Sequence, residues 1–148
     1  MNASAQALSI DMMSKIACIP VLFRTEFPQA RADLSPWAMD EETQQQTDPD
    51  SLDFGFSFPG WHRQLGCGCI LLQIHLVRGD RDSGSCLCGI SASGHGIQEQ
   101  FWQVSGITDW QFGGKQVPSE SCQQQLREIF RQVGEIFNYP ALLPHAEK

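Results

Sequence analysis

Cys69-Ile70-Leu71-Leu72-Gln73-Ile74-His75-Leu76, then Gly79-Asp80-Arg81-Asp82-Ser83-Gly84, then Ser85-Cys86-Leu87-Cys88-Gly89-Ile90-Ser91-Ala92-Ser93 is the stretch that decides the fold. Ile70, Leu72, Ile74 and Leu76 recur at every second position, with Gln73 and His75 between them. A period of two with apolar residues on one parity is the pattern of a strand with one buried face. The connection at 79–84 is built of turn-forming residues. The stretch therefore predicts an antiparallel hairpin over 66–78 and 85–93 whose even face is buried.

Working outward, residues 97–108 carry Ile97, Phe101, Trp102, Val104 and Ile107, and a shorter segment at 109–117 carries Trp110 and Phe112. Both read as further strands. Upstream, Leu52, Phe54, Phe56 and Phe58 alternate with small or polar residues, again with the period of a half-buried strand. Residues 14–24 read as a strand on the edge of the sheet, because Pro20 cannot donate to a ladder. Downstream, Leu126, Ile129, Phe130, Val133, Ile136 and Phe137 fall on one side of a helix over about 119–138. Pro118, with Ser121 and Gln124 as a capping box, marks its start, and Asn138 with Pro140 marks its end. The fold class expected is α+β: an antiparallel sheet of four to five strands packed against one C-terminal helix, with a long acidic loop between the first strand and the central hairpin. Residues 1–13 are expected to be a flexible tail, 14–140 a single domain with its loop at 25–60, and 141–148 a second tail.

The chain has 148 residues and a formal net charge of −7. The acidity is local. Residues 1–55 hold Asp11, Glu26, Asp33, Asp40, Glu41, Glu42, Asp48, Asp50 and Asp53 against Lys15, Arg24 and Arg31, whereas the remainder is nearly balanced. No basic stripe is available to attract phosphate backbones, which argues against a nucleic-acid partner, including a single strand. No apolar run approaches the ~18 residues needed to span a bilayer. The first residues lack the basic start and apolar core of a signal peptide, so a cytoplasmic location is expected.

Six cysteines in a reducing compartment argue against a disulfide framework and leave packing, metal binding or thiol chemistry. Cys67-Gly68-Cys69 and Cys86-Leu87-Cys88 look like two halves of a zinc site, yet Cys-x-Cys is tighter than the usual pair spacing. A turn centred near Arg81 also separates them by parity. It puts Cys86 opposite Leu76 and Cys88 opposite Ile74 on the buried even face, and leaves Cys67 and Cys69 on the odd face. The same register places His95 opposite Cys67 and Ser93 opposite Cys69. Cys67, Cys69 and His95 are thus the candidate residues for a thiol or metal site, zinc being the metal that such ligands suit. The competing reading is that the thiols simply pack.

Asp48, Asp50 and Asp53 fail the EF-hand spacing, and the nucleophile-elbow, phosphate-loop and metalloprotease motifs are absent. No catalytic residue or bound cofactor is therefore expected. Phe54, Phe56, Phe58 and Trp61 are the candidate partner-binding residues, since aromatic clusters anchor interfaces, with an edge strand tucked onto the core as the competing account. The expectation is a small non-enzymatic accessory module that binds another protein through the acidic loop and residues 52–61.

Overall fold

The computed structural model describes residues 1–37, 50–78, 85–106 and 111–137. The chain is α+β. A helix, α1 (Ile10–Glu26), is followed by six strands, β1 (Arg31–Asp33), β2 (Ser51–His62), β3 (Cys67–Arg78), β4 (Ser85–His95), β5 (Gln100–Ser105) and β6 (Gln111–Gly114), and then by α2 (Glu120–Ile136). The strands form one sheet in the order β1-β2-β3-β4-β5-β6, each pair antiparallel. A meander of this kind needs only short connections and leaves one face free to be covered by helices.

The inner face is the even face of the hairpin. Leu52, Phe54, Phe56 and Phe58 of β2, Ile70, Leu72, Ile74 and Leu76 of β3, Ile90 and Ala92 of β4, and Trp102 and Val104 of β5 are all buried in one core cluster. Both helices cover it. Phe23 of α1 stacks on Phe56 with ring centroids 3.8 Å apart, and Leu126, Ile129, Phe130 and Val133 of α2 complete the core. The helices also meet each other: the Gln125 side chain donates to the Glu26 carbonyl at 2.9 Å, and the Lys15 ammonium sits 5.6 Å from the Phe137 ring centre.

Three expectations need correcting. Residues 14–24 are helix, not an edge strand. Ser9 caps α1 by accepting from the Met12 backbone N–H at 3.0 Å, Asp11 lies in the first turn, and the buried residues Ile16, Ile19, Leu22 and Phe23 keep helical spacing. Pro20 lies inside the helix on a half-buried side, where losing one donor is tolerable because core packing holds the turns on either side. The sheet accordingly has six strands and two covering helices rather than four to five strands and one. Residues 1–13, where a flexible tail is expected, hold a short turn and the start of α1. Ala3–Gln6 form a short 3₁₀ turn, Ser4 donates to the Leu34 carbonyl, and Asp53 donates to the Met1 carbonyl, each at 2.9 Å. Finally, α2 is capped by Ser119, whose hydroxyl accepts from the Cys122 N–H at 3.3 Å, rather than by Ser121.

The segment expected as one long loop at 25–60 is divided by β1 and most of β2. Its acidic centre, Asp40, Glu41, Glu42 and Asp48, lies outside the described residues, as do Ile107, Trp110, Asn138, Pro140 and the C-terminal segment 141–148.

Candidate functional site

Strand pairing settles where the cysteines go. In β3 and β4, Cys69 is opposite His95, Leu71 opposite Ser93, Ile74 opposite Ile90 and His75 opposite Gly89, but Leu76 is opposite Leu87. One extra residue, Cys88, is therefore accommodated in β4 as a bulge. The bulge reverses the parity of β4 next to the turn. Leu87 takes the inward position expected for a cysteine, and Cys88 is exposed. The side chain of Cys86 lies outside the description.

At the other end of β3, the register between β2 and β3 shifts between Ser57 and His62, and Cys67 pairs with His62. Cys67 is fully buried within the core cluster. Burial pushes its thiol up to about 12, only partly opposed by contact with Trp102. Cys69 is half-buried, and desolvation raises its thiol as well. Its sulfur lies 3.7 Å from the carbonyl oxygen of His95, while the His95 imidazole is turned to the Ser93 hydroxyl at 2.7 Å. Burial lowers the His95 pKa, favouring the neutral ring. Burial thus disfavours the thiolate at both positions, and the thiolate is the form that attacks and ligates. Among the described residues no group of three or more His, Cys, Asp or Glu is placed to hold a metal ion. The structure brings Cys69 and His95 together as strand partners and leaves Cys67 in the core.

The four aromatic candidates separate in the same way. Phe54, Phe56 and Phe58 point into the core and have no surface to offer a partner. Trp61 does: it is 47% exposed and meets Phe101 edge-on, ring centroids 5.0 Å apart. Beside them Ile97 is fully exposed. These three side chains, with Cys69, border a shallow cavity of about 720 Å³ floored by Gly60, Gly68 and Gly96. The glycines matter here because they add no side chain to fill the floor. Glu99, on the rim, pairs with Lys115. Sequence reasoning found Trp61 but missed Phe101 and Ile97. Their signal is weak, since only strand pairing brings residues forty positions apart to the same end of the sheet.

A family model described as a domain of unknown function matches residues 4–139. The chain belongs to that family. No curated protein and no solved structure matches it. The match runs from the 3₁₀ turn past the end of α2, and the family description assigns no role to any residue.

A second region is polar. The outer sheet face carries Gln73, Ser91, Ser93, His95, Gln103 and Gln111 around a cavity of about 500 Å³, walled on one side by Trp37 and Leu71. Trp37 is fixed from behind. Its backbone N–H donates to Asn2 at 2.8 Å, and its indole N–H donates to the carboxylate of Asp53, which is itself fully buried. Ser51, Gln73 and the Met1 amine complete the donors around that carboxylate, which is how a charge is tolerated inside the fold.

Proposed function

We propose that this chain is a small non-enzymatic accessory module of the cytoplasm that binds another protein through the patch made by Trp61, Phe101 and Ile97. The observation that carries this reading is the exposure of a large aromatic and a fully exposed isoleucine side by side over a glycine floor. Buried Trp and Phe anchors account for much of the free energy of protein interfaces, and they need an open, apolar seat of this kind. Among the described residues no helix is long and apolar enough to cross a membrane.

The test compares the full-length chain with a Trp61→Ser/Ile97→Ser variant as baits in native extract, using quantitative mass spectrometry. The expected outcome is a prey enriched by the parent chain and lost with the double variant, whose circular dichroism stays unchanged. Identical prey lists for the two baits would remove the basis of this proposal.

A further inference from the structure

Asp53, paired with Gln73 at the β2 edge of the outer sheet face, is buried under its donors. Beyond it, the described outer face around the cavity lacks the side chains that solvated strand faces usually carry. Lys, Glu, Arg and Asp dominate exposed positions in proteins. Here none of the described residues lining the 500 Å³ cavity is one of these. Instead, uncharged donors and acceptors run in register across the strands. Gln73, Ser91, Ser105 and Gln111 are directly paired from β3 to β6. In the next row Ser93 pairs with Gln103, and beyond it His95 pairs with Gln100. Directly paired side chains on one face lie about 5 Å apart, so these groups form a closely spaced lattice of hydrogen-bonding positions.

The lattice is already ordered. His75 Nε2 lies 3.1 Å from the Ser91 hydroxyl, His95 Nε2 lies 2.7 Å from the Ser93 hydroxyl, and Gln100 donates to Gln103 at 3.2 Å. Each hydroxyl and amide still has capacity to spare, because a serine offers one donor and two acceptors and a glutamine two of each. Trp37 and Leu71 add an apolar wall to one side, and the tryptophan cannot swing away while Asn2 and Asp53 hold it.

Three ligand classes meet this surface differently. An anion or cation finds no countercharge among the described lining residues. An apolar ligand would strip water from amides and hydroxyls without replacing their hydrogen bonds, at a cost of about 1–3 kcal/mol for each group. A neutral polyol satisfies both requirements, since each of its hydroxyls donates and accepts while the C–H faces of its rings lie against an indole. The volume falls in the ~300–1,000 Å³ range of small-molecule sites. We propose that the outer face, centred on Gln73, Ser91, Ser105 and Gln111 and walled by Trp37, binds a short neutral oligosaccharide. This site lies apart from the Trp61 patch and does not depend on it.

The experiment uses the full-length ¹⁵N-labelled chain titrated with maltotriose, cellotriose and chitotriose, with sialyllactose as the charged control. One or more of the neutral sugars is expected to shift the side-chain amide signals of Gln73, Gln103 and Gln111 with saturation at millimolar concentration. Ser105→Ala/Gln111→Ala should weaken that binding about tenfold, the loss expected for removing one or two hydrogen bonds. Both positions are exposed, so the variant keeps its fold. The proposal is overturned if none of the neutral trisaccharides shifts these signals, if sialyllactose binds as well as they do, or if the double variant binds unchanged.

Discussion

On one side of the sheet, Leu52, Phe54, Phe56, Ile70, Leu72, Ile74, Trp102 and Val104 are sealed under two helices. On the other side, the residues that alternate with them are Asp53, whose carboxylate is buried under its donors, and, from β3 to β5, Gln73, His75, Ser91, Ser93, His95, Gln103 and Ser105. The same strands obey two rules. Inside, shape and apolar area decide which residue is tolerated. Outside, solvent imposes no such demand, and a surface selected for solubility alone would carry charge. The uncharged outer rows are therefore the more informative face for function, and the inner face the more informative one for stability.

The sharpest way to break the comparison is at Gly94, where the core has no room for a side chain. Trp102 lies across Gly94: a Cβ added at Gly94 would sit 2.2 Å from the indole nitrogen, which itself donates to the Leu65 carbonyl at 2.7 Å. Trp102→Ala should cost about 3–5 kcal/mol from lost burial and the cavity left behind. Gly94→Ala should cost about 3 kcal/mol, because overpacking forces the indole off its acceptor. Urea unfolding measures both. A Gly94→Ala variant as stable as the parent would show that the indole has room to move.

The next effect is on pH. The Cys67 thiol is pushed up to about 12 by burial, against 9.0 when solvated. Between those values the unfolded chain loses a proton that the folded chain keeps, so stability falls as pH rises through this window. The expected result is a urea midpoint that declines above about pH 9, with a shallower decline in Cys67→Ala. Alkylation supplies a second readout: the exposed Cys18 and Cys88 should react with iodoacetamide before the buried Cys67 and Cys122. Labelling of Cys67 at the rate of Cys88 would contradict the burial.

On the acid side the effect is smaller and belongs to the outer face. Burial lowers the His95 pKa below its usual 6.5. The unfolded chain therefore takes up a proton that the folded chain resists, and stability is lost as pH falls below about 6.5. His95→Gln, which can keep a hydrogen bond to Ser93, should flatten that slope. An unchanged slope would place the acid sensitivity elsewhere.

How much of this was legible depends on whether a residue's environment is local. The even-numbered apolar residues of β2 and β3, and the stripe from Leu126 to Val133 on α2, announce themselves because each pattern contrasts one face with another. Helix α1 does not. Its solvent side carries Ile10, Met13, Ala17 and Val21 while its core side carries Ile16, Ile19, Leu22 and Phe23, so the periodic contrast disappears, and Pro20 then reads as a strand-edge signal. The bulge at Cys88 is equally silent, because a single inserted residue changes parity without changing composition. It moved one cysteine from core to surface and, added to the one-position offset already present at Leu76–Leu87, shifted His95 from Cys67 to Cys69. Trp61 was legible as an aromatic beside a turn. The outer rows were not, since Gln and Ser at alternate positions look like any solvated strand until pairing aligns them across β3 to β6.

The smallest expected effect is the one that separates the two faces most cleanly. Gln103→Ala and Gln111→Ala remove long, exposed side chains, and Gln100, which donates to Gln103, is itself exposed and keeps access to water when that acceptor is lost. Surface substitutions of this kind ordinarily fall within ±0.5 kcal/mol, and that is the value expected from chemical denaturation of each variant. Alanine is a poorer strand residue than most on a pleated surface, so a loss of a few tenths is consistent. A loss above ~1 kcal/mol for either would mean the outer lattice contributes to the fold in the way the inner face does. The polar rows would then be explained by stability, and the case for a ligand on that face would lose its main support.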